Sequence, residues 1–555
     1  MVELLVVSVV AVLTIAATSV IGPKLGLASP LLLVAIGVGA SFLPALREFE
    51  IEPEWILEGL LPPLLYSAAV SMPAMNFRRE FGAISGLSVV LVVASALLLG
   101  LFFMLVLPGL GFAWGVALGA IVSPTDAVAT SIVKQTPVSK RVVAILDGES
   151  LLNDATALVL LRTAIVATAA TFSFWGALGT FAWSVVIAVV VGAGVGLGNL
   201  QVRKRISRPP VNTALSFTVP FIASVPTELL GGSGLVAAVV AGLVTGVRAP
   251  RLLSAQSRLS DRQNWQTVEL VLEGVVFLTL GLQIRPIVES VERDHAGVGN
   301  AVLVALIALL LTIVIRAAYV APLIGVLGLR GRLRARLQPR FETLQEKLQT
   351  PEGREQTAAK FEERGRKLSE RGLERFTKRI TRGLADIDYF LRAPLGWREG
   401  AVVVWAGMRG AVTVAAAQTL PADTPQRPVL ILIAFAVALL SLAIQGGTIG
   451  PLLRLIAPTD HGAQEAQDAA ERARLMQQLR DAAQSVAEPV IPPDADRQEE
   501  FAVRKKQRLE VIEAERTALL DARDDGAFDA DVLDETLTNL DAEQIAIELR
   551  GKHVD

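Results

Sequence analysis

The 555-residue sequence contains no cysteine and only three histidines. Without cysteine there is no disulfide framework, thiolate metal site, cysteine nucleophile or thiol redox chemistry. His295, His461 and His553 all lie outside the apolar runs, which excludes a buried histidine proton relay or a haem pair. Charge is scarce as well: 19% of residues carry it, against about a quarter in an ordinary soluble domain. A formal net charge of −2 offers no nucleic-acid footprint. The N-terminus lacks a basic stretch, and Glu3 opens a long apolar run. That pattern reads as a membrane span and not as a cleaved signal.

What the chain does have is oil. It is 52% hydrophobic, with a mean hydropathy of +0.51. The few charges are concentrated in two places. Residues 330–396 hold 17 basic and 10 acidic side chains, and residues 459–555 hold 12 and 24. The expected organisation is an all-α polytopic membrane protein: a membrane region over 1–329, a charged cytoplasmic insert over 330–396, two closing spans over 397–458 and an acidic helical tail over 459–555. A span needs about 20 apolar residues. About thirteen candidates are present, at 2–21, 28–43, 55–72, 81–106, 111–133, 141–169, 174–202, 211–226, 232–247, 266–284, 298–328, 397–420 and 428–455. With the N-terminus outside, the inner loops carry fourteen Lys or Arg and the outer loops four. This is the bias expected of a plasma-membrane protein whose insert and tail are cytoplasmic.

Arg330, Arg332, Arg334 and Arg336 open the insert just below a span, where an anionic lipid leaflet attracts basic side chains. The plainer reading is a solvated helical hairpin with an ordinary positive flank. The tail breaks at Pro489, Pro492 and Pro493, and a helix is expected from Asp494 to about Leu520. The opposite charges of insert and tail predict contact between them, without fixing a register. Neither segment holds an enzyme motif. Glycines inside spans, such as Gly37, Gly39, Gly192, Gly194, Gly196 and Gly198, read as sites of close helix packing.

A charge at bilayer depth costs several kcal/mol, about 2.5 or more even on lenient scales, so each one points to function. Ser123-Pro124-Thr125-Asp126 lies inside the span 111–133. Pro124 removes a backbone donor and should unwind the helix there. Freed carbonyls beside the Thr125 hydroxyl and the Asp126 carboxylate make hard oxygen ligands for Na⁺ or a similar cation. The alternative is a proline kink in which Asp126 caps the second half-helix. The next span contains Glu149-Ser150-Leu151-Leu152-Asn153-Asp154. Helical spacing places Ser150 with Asp154, and Glu149 with Asn153. Asp154 is the best candidate to bind a cation or a proton in competition. Asn153 cannot titrate, so the pair offers one exchangeable charge. Arg316 and Arg409 also sit in apolar runs, keep their protons and need acids or carbonyls as partners. Glu149 is the natural partner for one of them. Gly407 and Gly410 around Arg409 suggest a second interrupted helix. Spans 1–6 and 8–13 would then be two inverted six-helix repeats, an arrangement that points to a transporter site.

These motifs, together with Leu61-Pro62-Pro63-Leu64-Leu65, Phe277-Leu278-Thr279-Leu280-Gly281 and Gly407-Met408-Arg409-Gly410-Ala411, resemble the monovalent cation:proton antiporter family. The likeness is to the sodium/proton exchanger branch with an Asn-Asp pair, shared with archaeal NhaP-type antiporters, and it covers about residues 1–455. The resemblance implies a homodimer with crossing broken helices in a core domain that moves like an elevator. It implies electroneutral exchange of Na⁺, or in some members Li⁺ or K⁺, for H⁺, with no cofactor. Asp154 would be the transport carboxylate, and Thr125, Asp126 and Ser150 would lie in or near the cation shell. Asn153 would stabilise the crossing region and Glu149 would pair with Arg316, while Arg409 and Glu273 match further family positions. The chain departs from the pattern at Tyr66-Ser67-Ala68, where many members carry an acid, and this leaves Na⁺ over K⁺ selectivity open. Partners are therefore the transported ion, the proton, the lipid bilayer and a second copy of the chain, and no nucleic acid. The competing readings are K⁺/H⁺ exchange by the same mechanism, a cation channel, and an ion sensor that signals through the tail.

Overall fold

The structure, a computed structural model, describes residues 2–25, 28–44, 52–126, 128–134, 136, 138–169, 174–293, 297–363, 369–456, 461–491 and 496–550. Among them every regular element is a helix. The chain begins with α1 (Val2–Leu25), α2 (Ser29–Ala40), α3 (Trp55–Ser71) and α4 (Ala74–Val106). The next apolar segment is cut in two, as α5 (Phe112–Val122) and α6 (Val128–Lys134). Long helices follow: α7 (Lys140–Ala169), α8 (Phe174–Arg203), α9 (Pro209–Leu229), α10 (Gly234–Leu252) and α11 (Ala255–Leu282). After α12 (Ile284–Arg293) and α13 (Val298–Ala335), the charged segment forms α14 (Gln338–Gln349), α15 (Pro351–Glu363) and α16 (Glu370–Arg392). A second cut segment, α17 (Trp397–Trp405) and α18 (Ala411–Gln418), precedes α19 (Arg427–Ile456). The tail adds α20 (His461–Gln484), α21 (Arg497–Asp525) and α22 (Ala530–Leu549).

The chain folds into two compact units. The first holds Met1–Leu252, Ser260–Leu323 and Trp397–Ala457. All the apolar segments expected from the sequence fall on helices. Eight helical stretches among the described residues are long and apolar enough to cross a membrane, and α2, α3 and α5 are shorter apolar helices. Large apolar side chains such as Leu5, Leu13, Val186, Val190, Leu303 and Leu310 point outward on these helices. Water would not tolerate so much exposed hydrocarbon, and lipid does. Only some of the glycines make close contacts. A methyl on Gly192 would strike the Ala237 carbonyl, and one on Gly196 would lie 3.0 Å from the Ala241 oxygen, so α8 and α10 pack backbone to backbone there. Gly194, Gly198 and Gly39 have no heavy atom within 4 Å of such a methyl, which corrects the expectation that every span glycine serves packing. The reason is the helical period: residues two apart lie on different faces.

The second unit holds Leu253–Leu259, Ile324–Gly396 and Pro458–Asp555. Among its described residues the insert forms three helices, not the two of a hairpin. Asp496 and Glu499 form a reciprocal capping box at the start of α21, and Gly526 at φ +73° ends it, so this helix runs past the expected Leu520. Pro492, Pro493 and Asp494 lie outside the described residues. Insert and tail meet within the unit: Arg392 Nη1 lies 2.9 Å from Glu471 Oε2. Asp541 of α22 accepts from both Arg258 and Arg516, at 2.9 Å from Arg258 Nε and 3.1 Å from Arg516 Nη2.

Candidate functional site

The two interrupted helices meet at their breaks. Pro124 cannot extend α5, so the backbone through Ser123–Asp126 leaves the helix. The backbone through Ala406–Gly410 does the same between α17 and α18. The Asp126 N–H donates to the Met408 carbonyl at 2.7 Å, which ties one break to the other.

Each break exposes carbonyls at the end of its first half-helix, where the helix dipole is negative. The two buried arginines neutralise these ends. Arg409 Nε donates to Val122 O, the last carbonyl of α5, at 3.1 Å, and its Nη1 donates to Gly407 O. Arg316 Nε donates to Val403 O near the end of α17 at 2.9 Å. The remaining nitrogens of Arg316 grip Glu149, with Nη2 at 2.7 Å from Oε2 and Nη1 on Oε1. The choice that the sequence left open is thereby made: Glu149 pairs with Arg316, and Arg409 is held by carbonyls. Ser441 Oγ accepts the Arg409 N–H at 2.9 Å and donates to Gln445, whose amide donates to Trp405 O at 3.1 Å.

Around Thr125 the polar groups of α7 converge. Its hydroxyl donates to Glu149 Oε1 at 3.1 Å, and Asn153 Nδ2 reaches both Thr125 O at 2.9 Å and Thr125 Oγ1 at 2.7 Å. The face shared by Glu149 and Asn153 is therefore the one that holds the break. Asp126 Oδ1 accepts from the Val128 N–H at 3.0 Å, so one carboxylate oxygen caps α6. The other packs so closely on Gly410 that no Cβ would fit there. Ser150 is not gathered in. Its hydroxyl donates back to Asp147 O at 3.0 Å in its own helix.

Asp154 differs from all of these. It is 8% exposed, and among the described residues nothing donates a hydrogen bond to its carboxylate. Asp126 is its charged neighbour. A buried carboxylate without donors needs a proton or a cation.

The sequence reading did not pick out Ser88, Ser441, Gln445 or Glu269. Ser88 lies in a widened turn of α4 (Gly86–Leu91) and donates to Glu149 O at 3.2 Å. Ser441 borders a second widened turn, Leu442–Gly446. Such turns are common at functional sites, but no sequence pattern announced them. Ser67, in the stretch where the chain departs from the family pattern, donates to Glu269 Oε2 of α11 at 3.3 Å.

Two touching helix breaks beside a buried carboxylate that accepts no hydrogen bond among the described residues make the arrangement of a secondary ion transporter. The transmembrane sodium/hydrogen exchanger profile matches residues 9–340 and 378–455, so the chain belongs to that family and is a transporter, not an enzyme. An uncharacterized Na⁺/H⁺ exchanger of Mycobacterium bovis is 26% identical, over 98% of this chain and 96% of its own length. A Bacillus subtilis sodium, potassium, lithium and rubidium/H⁺ antiporter is 28% identical, over 48% of this chain and 41% of its own. Among solved structures, the sodium proton antiporter MjNhaP1 of Methanocaldococcus jannaschii superposes with a TM-score of 0.55 at 17% identity. That match covers 82% of this chain and all of the other, and it shows a shared fold.

Proposed function

We propose that this protein exchanges Na⁺ for H⁺ across the plasma membrane, electroneutrally, with one carboxylate binding cation or proton in turn. The observation that carries the reading is Asp154: buried, with no donor to its carboxylate among the described residues, and next in sequence to Asn153, which grips the break at Thr125. A single ionisable site that must be either protonated or cation-bound couples the two fluxes by mass action, because each ligand displaces the other. Asp126 and Thr125 would contribute oxygens to the cation, and Ser150, whose hydroxyl proton goes to Asp147 O, keeps lone pairs to offer it. Asn153 would hold Thr125 in place, and Glu149, Arg316 and Arg409 would hold the breaks together without touching the ion. Na⁺ is cargo here, not a resident metal, and the cycle requires no cofactor.

The finer architecture belongs to the same proposal. It comprises thirteen spans in two inverted six-helix repeats, the N-terminus outside, a homodimer, and an elevator motion that exposes Asp154 to each side in turn. K⁺/H⁺ exchange is a second reading with its own support, since a relative is named for potassium and lithium as well as sodium. The stretch Tyr66-Ser67-Ala68 carries no acid, which leaves the choice between Na⁺ and K⁺ open.

The test is proton flux in proteoliposomes at zero membrane potential, read with a pH-sensitive dye as Na⁺, Li⁺ and K⁺ are added in turn. The expected result is dequenching by Na⁺ and Li⁺ that disappears in Asp154→Asn. Normal exchange by that variant would sink the assignment, and a K⁺ response of equal size would favour the second reading. Flux that persists without proton counter-transport would point to a channel. Signalling lost on removal of 459–555 with ion binding intact would point to a sensor.

A further inference from the structure

The contact between Ser67 and Glu269 joins α3 to α11. Trp265 of α11 is buried, donates from Nε1 to Ser216 Oγ at 3.0 Å, and stacks on Tyr66 of α3 with ring centroids 5.2 Å apart. Phe217 closes its other side at 5.1 Å. These contacts fix the rotation of α11. Glu269 and Glu273 follow Trp265 at four-residue steps, so all three share one face. One turn beyond the anchor, Glu269 meets Ser67, the neighbour of Tyr66, at 3.3 Å. A further turn on, Glu273 is a charged neighbour of both Glu269 and Asp126, and Asp126 is that of Asp154. In the other direction Glu269 interacts with Lys134 and Asp147, which pair at 3.0 Å. Lys134 there is 53% exposed and Asp147 is 23% exposed. Glu269 is half-buried, intermediate in exposure between Lys134 and Asp154.

We infer that Glu269, presented by Ser67, is a specificity-determining carboxylate for the transported cation, placed on α11 in a chain whose α3 lacks an acid at that point. The inference rests on the antiport reading and deepens it. A carboxylate along a partly dry route raises the local cation concentration and favours cation over neutral occupancy. Its contribution lies in binding, so it falls on KM more than on kcat. The hydrogen bond from Ser67 steers one carboxylate oxygen and leaves the other for the ion.

The experiment compares wild type, Glu269→Gln, Ser67→Ala and the double variant Ser67→Asp with Glu269→Gln in proteoliposomes, with Na⁺-dependent thermal stabilisation of the purified protein as an independent measure of binding. Glu269→Gln is expected to raise the apparent KM for Na⁺ by about three- to tenfold, with a smaller fall in kcat. Moving the acid to Ser67 in the double variant is expected to restore most of the affinity. Ser67→Ala should shift KM in the same direction by a smaller factor. An unchanged KM and unchanged stabilisation by Na⁺ in Glu269→Gln would overturn the inference. So would a double variant no better than Glu269→Gln alone, since the lost charge would then not be the cause. If Glu269→Gln fails to fold, an unchanged KM in Ser67→Ala overturns it equally. Exchange absent from wild type would instead reject the antiport reading, and the stabilisation series would still decide whether Glu269 contributes to cation binding.

Discussion

Replacing Glu149 with glutamine should unfold this protein at a lower temperature without touching the transported ion. The side chains of Glu149 and Arg316 are 2% and 3% exposed. Glutamine keeps the shape of glutamate and one acceptor, yet leaves the guanidinium charge with only the Val403 carbonyl and an amide oxygen as partners. Removing one member of a buried pair costs about 3–5 kcal/mol, because the other charge remains desolvated. Thr125 loses a charged acceptor at the same stroke. A loss of that size lowers the midpoint of thermal unfolding on the order of 5 °C or more. The assay is intrinsic tryptophan fluorescence of the purified protein during heating, for wild type, Glu149→Gln, Arg316→Met and the double variant. The double variant should be less damaged than the two single losses added together, by about 1 kcal/mol or more, since it strands no charge. Two single variants that melt with wild type would refute the reasoning, as would strict additivity.

Three further outcomes follow from particular contacts. Gly410→Ala places a methyl onto the Asp126 carboxylate and should abolish exchange, whereas Gly39→Ala, which faces open space, should leave exchange near wild type; equal activity in proteoliposomes would remove the crossing from the mechanism. If proton and cation share Asp154, raising the pH should lower the apparent KM for Na⁺, by at most about tenfold per unit while the proton dominates; a KM flat from pH 6 to 9 in the same flux assay would separate the two sites. In the tail, burial pushes the Asp525 carboxyl above its ordinary 3.8, against the opposing pull of Lys378 and Arg382. The folded tail then holds that proton more tightly than the unfolded chain, so stability falls as pH rises from the ordinary value through the raised one. Asp525→Asn should therefore protect α21 at neutral pH in hydrogen exchange, with the difference vanishing near pH 3, and equal protection at both would contradict it.

Parts of this molecule could be read before folding, and the reason differs from part to part. The apolar segments were legible because a lipid-facing helix needs a continuous oily run, and such a run survives in linear sequence. The break at Pro124 was legible because proline acts on its own helix. The partner of Arg409 was not, since the Val122 carbonyl lies 287 residues away and any freed carbonyl could have served. The same holds for Arg258 and Asp541, separated by 283 residues and joined only when the tail folds. Ser150 shows that spacing alone does not fix where a hydroxyl donates. Its spacing from Asp154 is right for a shared face, but a serine inside a helix can return its hydroxyl to its own backbone, and it does so at Asp147 O. The glycines sort by period into two stripes, 192 with 196 and 194 with 198, but the period alone does not say which stripe packs.

Glu269 shows how far apart in sequence two partners can lie. Taken motif by motif, α3 carries no acid at Tyr66-Ser67-Ala68. Taken in space, the Ser67 hydroxyl is the donor that receives a carboxylate from α11, 202 residues further on. What electrostatics constrains is the charge within a few ångströms of the ion, not the helix that supplies it. The two arginines make the same point for the breaks: α5 and α17 need a positive group at their truncated ends, and the chain delivers one from the opposite break and one from α13. The rotation of α11 is held here by Trp265, packed against Tyr66 and Phe217. A substitution that freed Trp265 should disturb cation affinity through Glu269 before it disturbs the crossing itself.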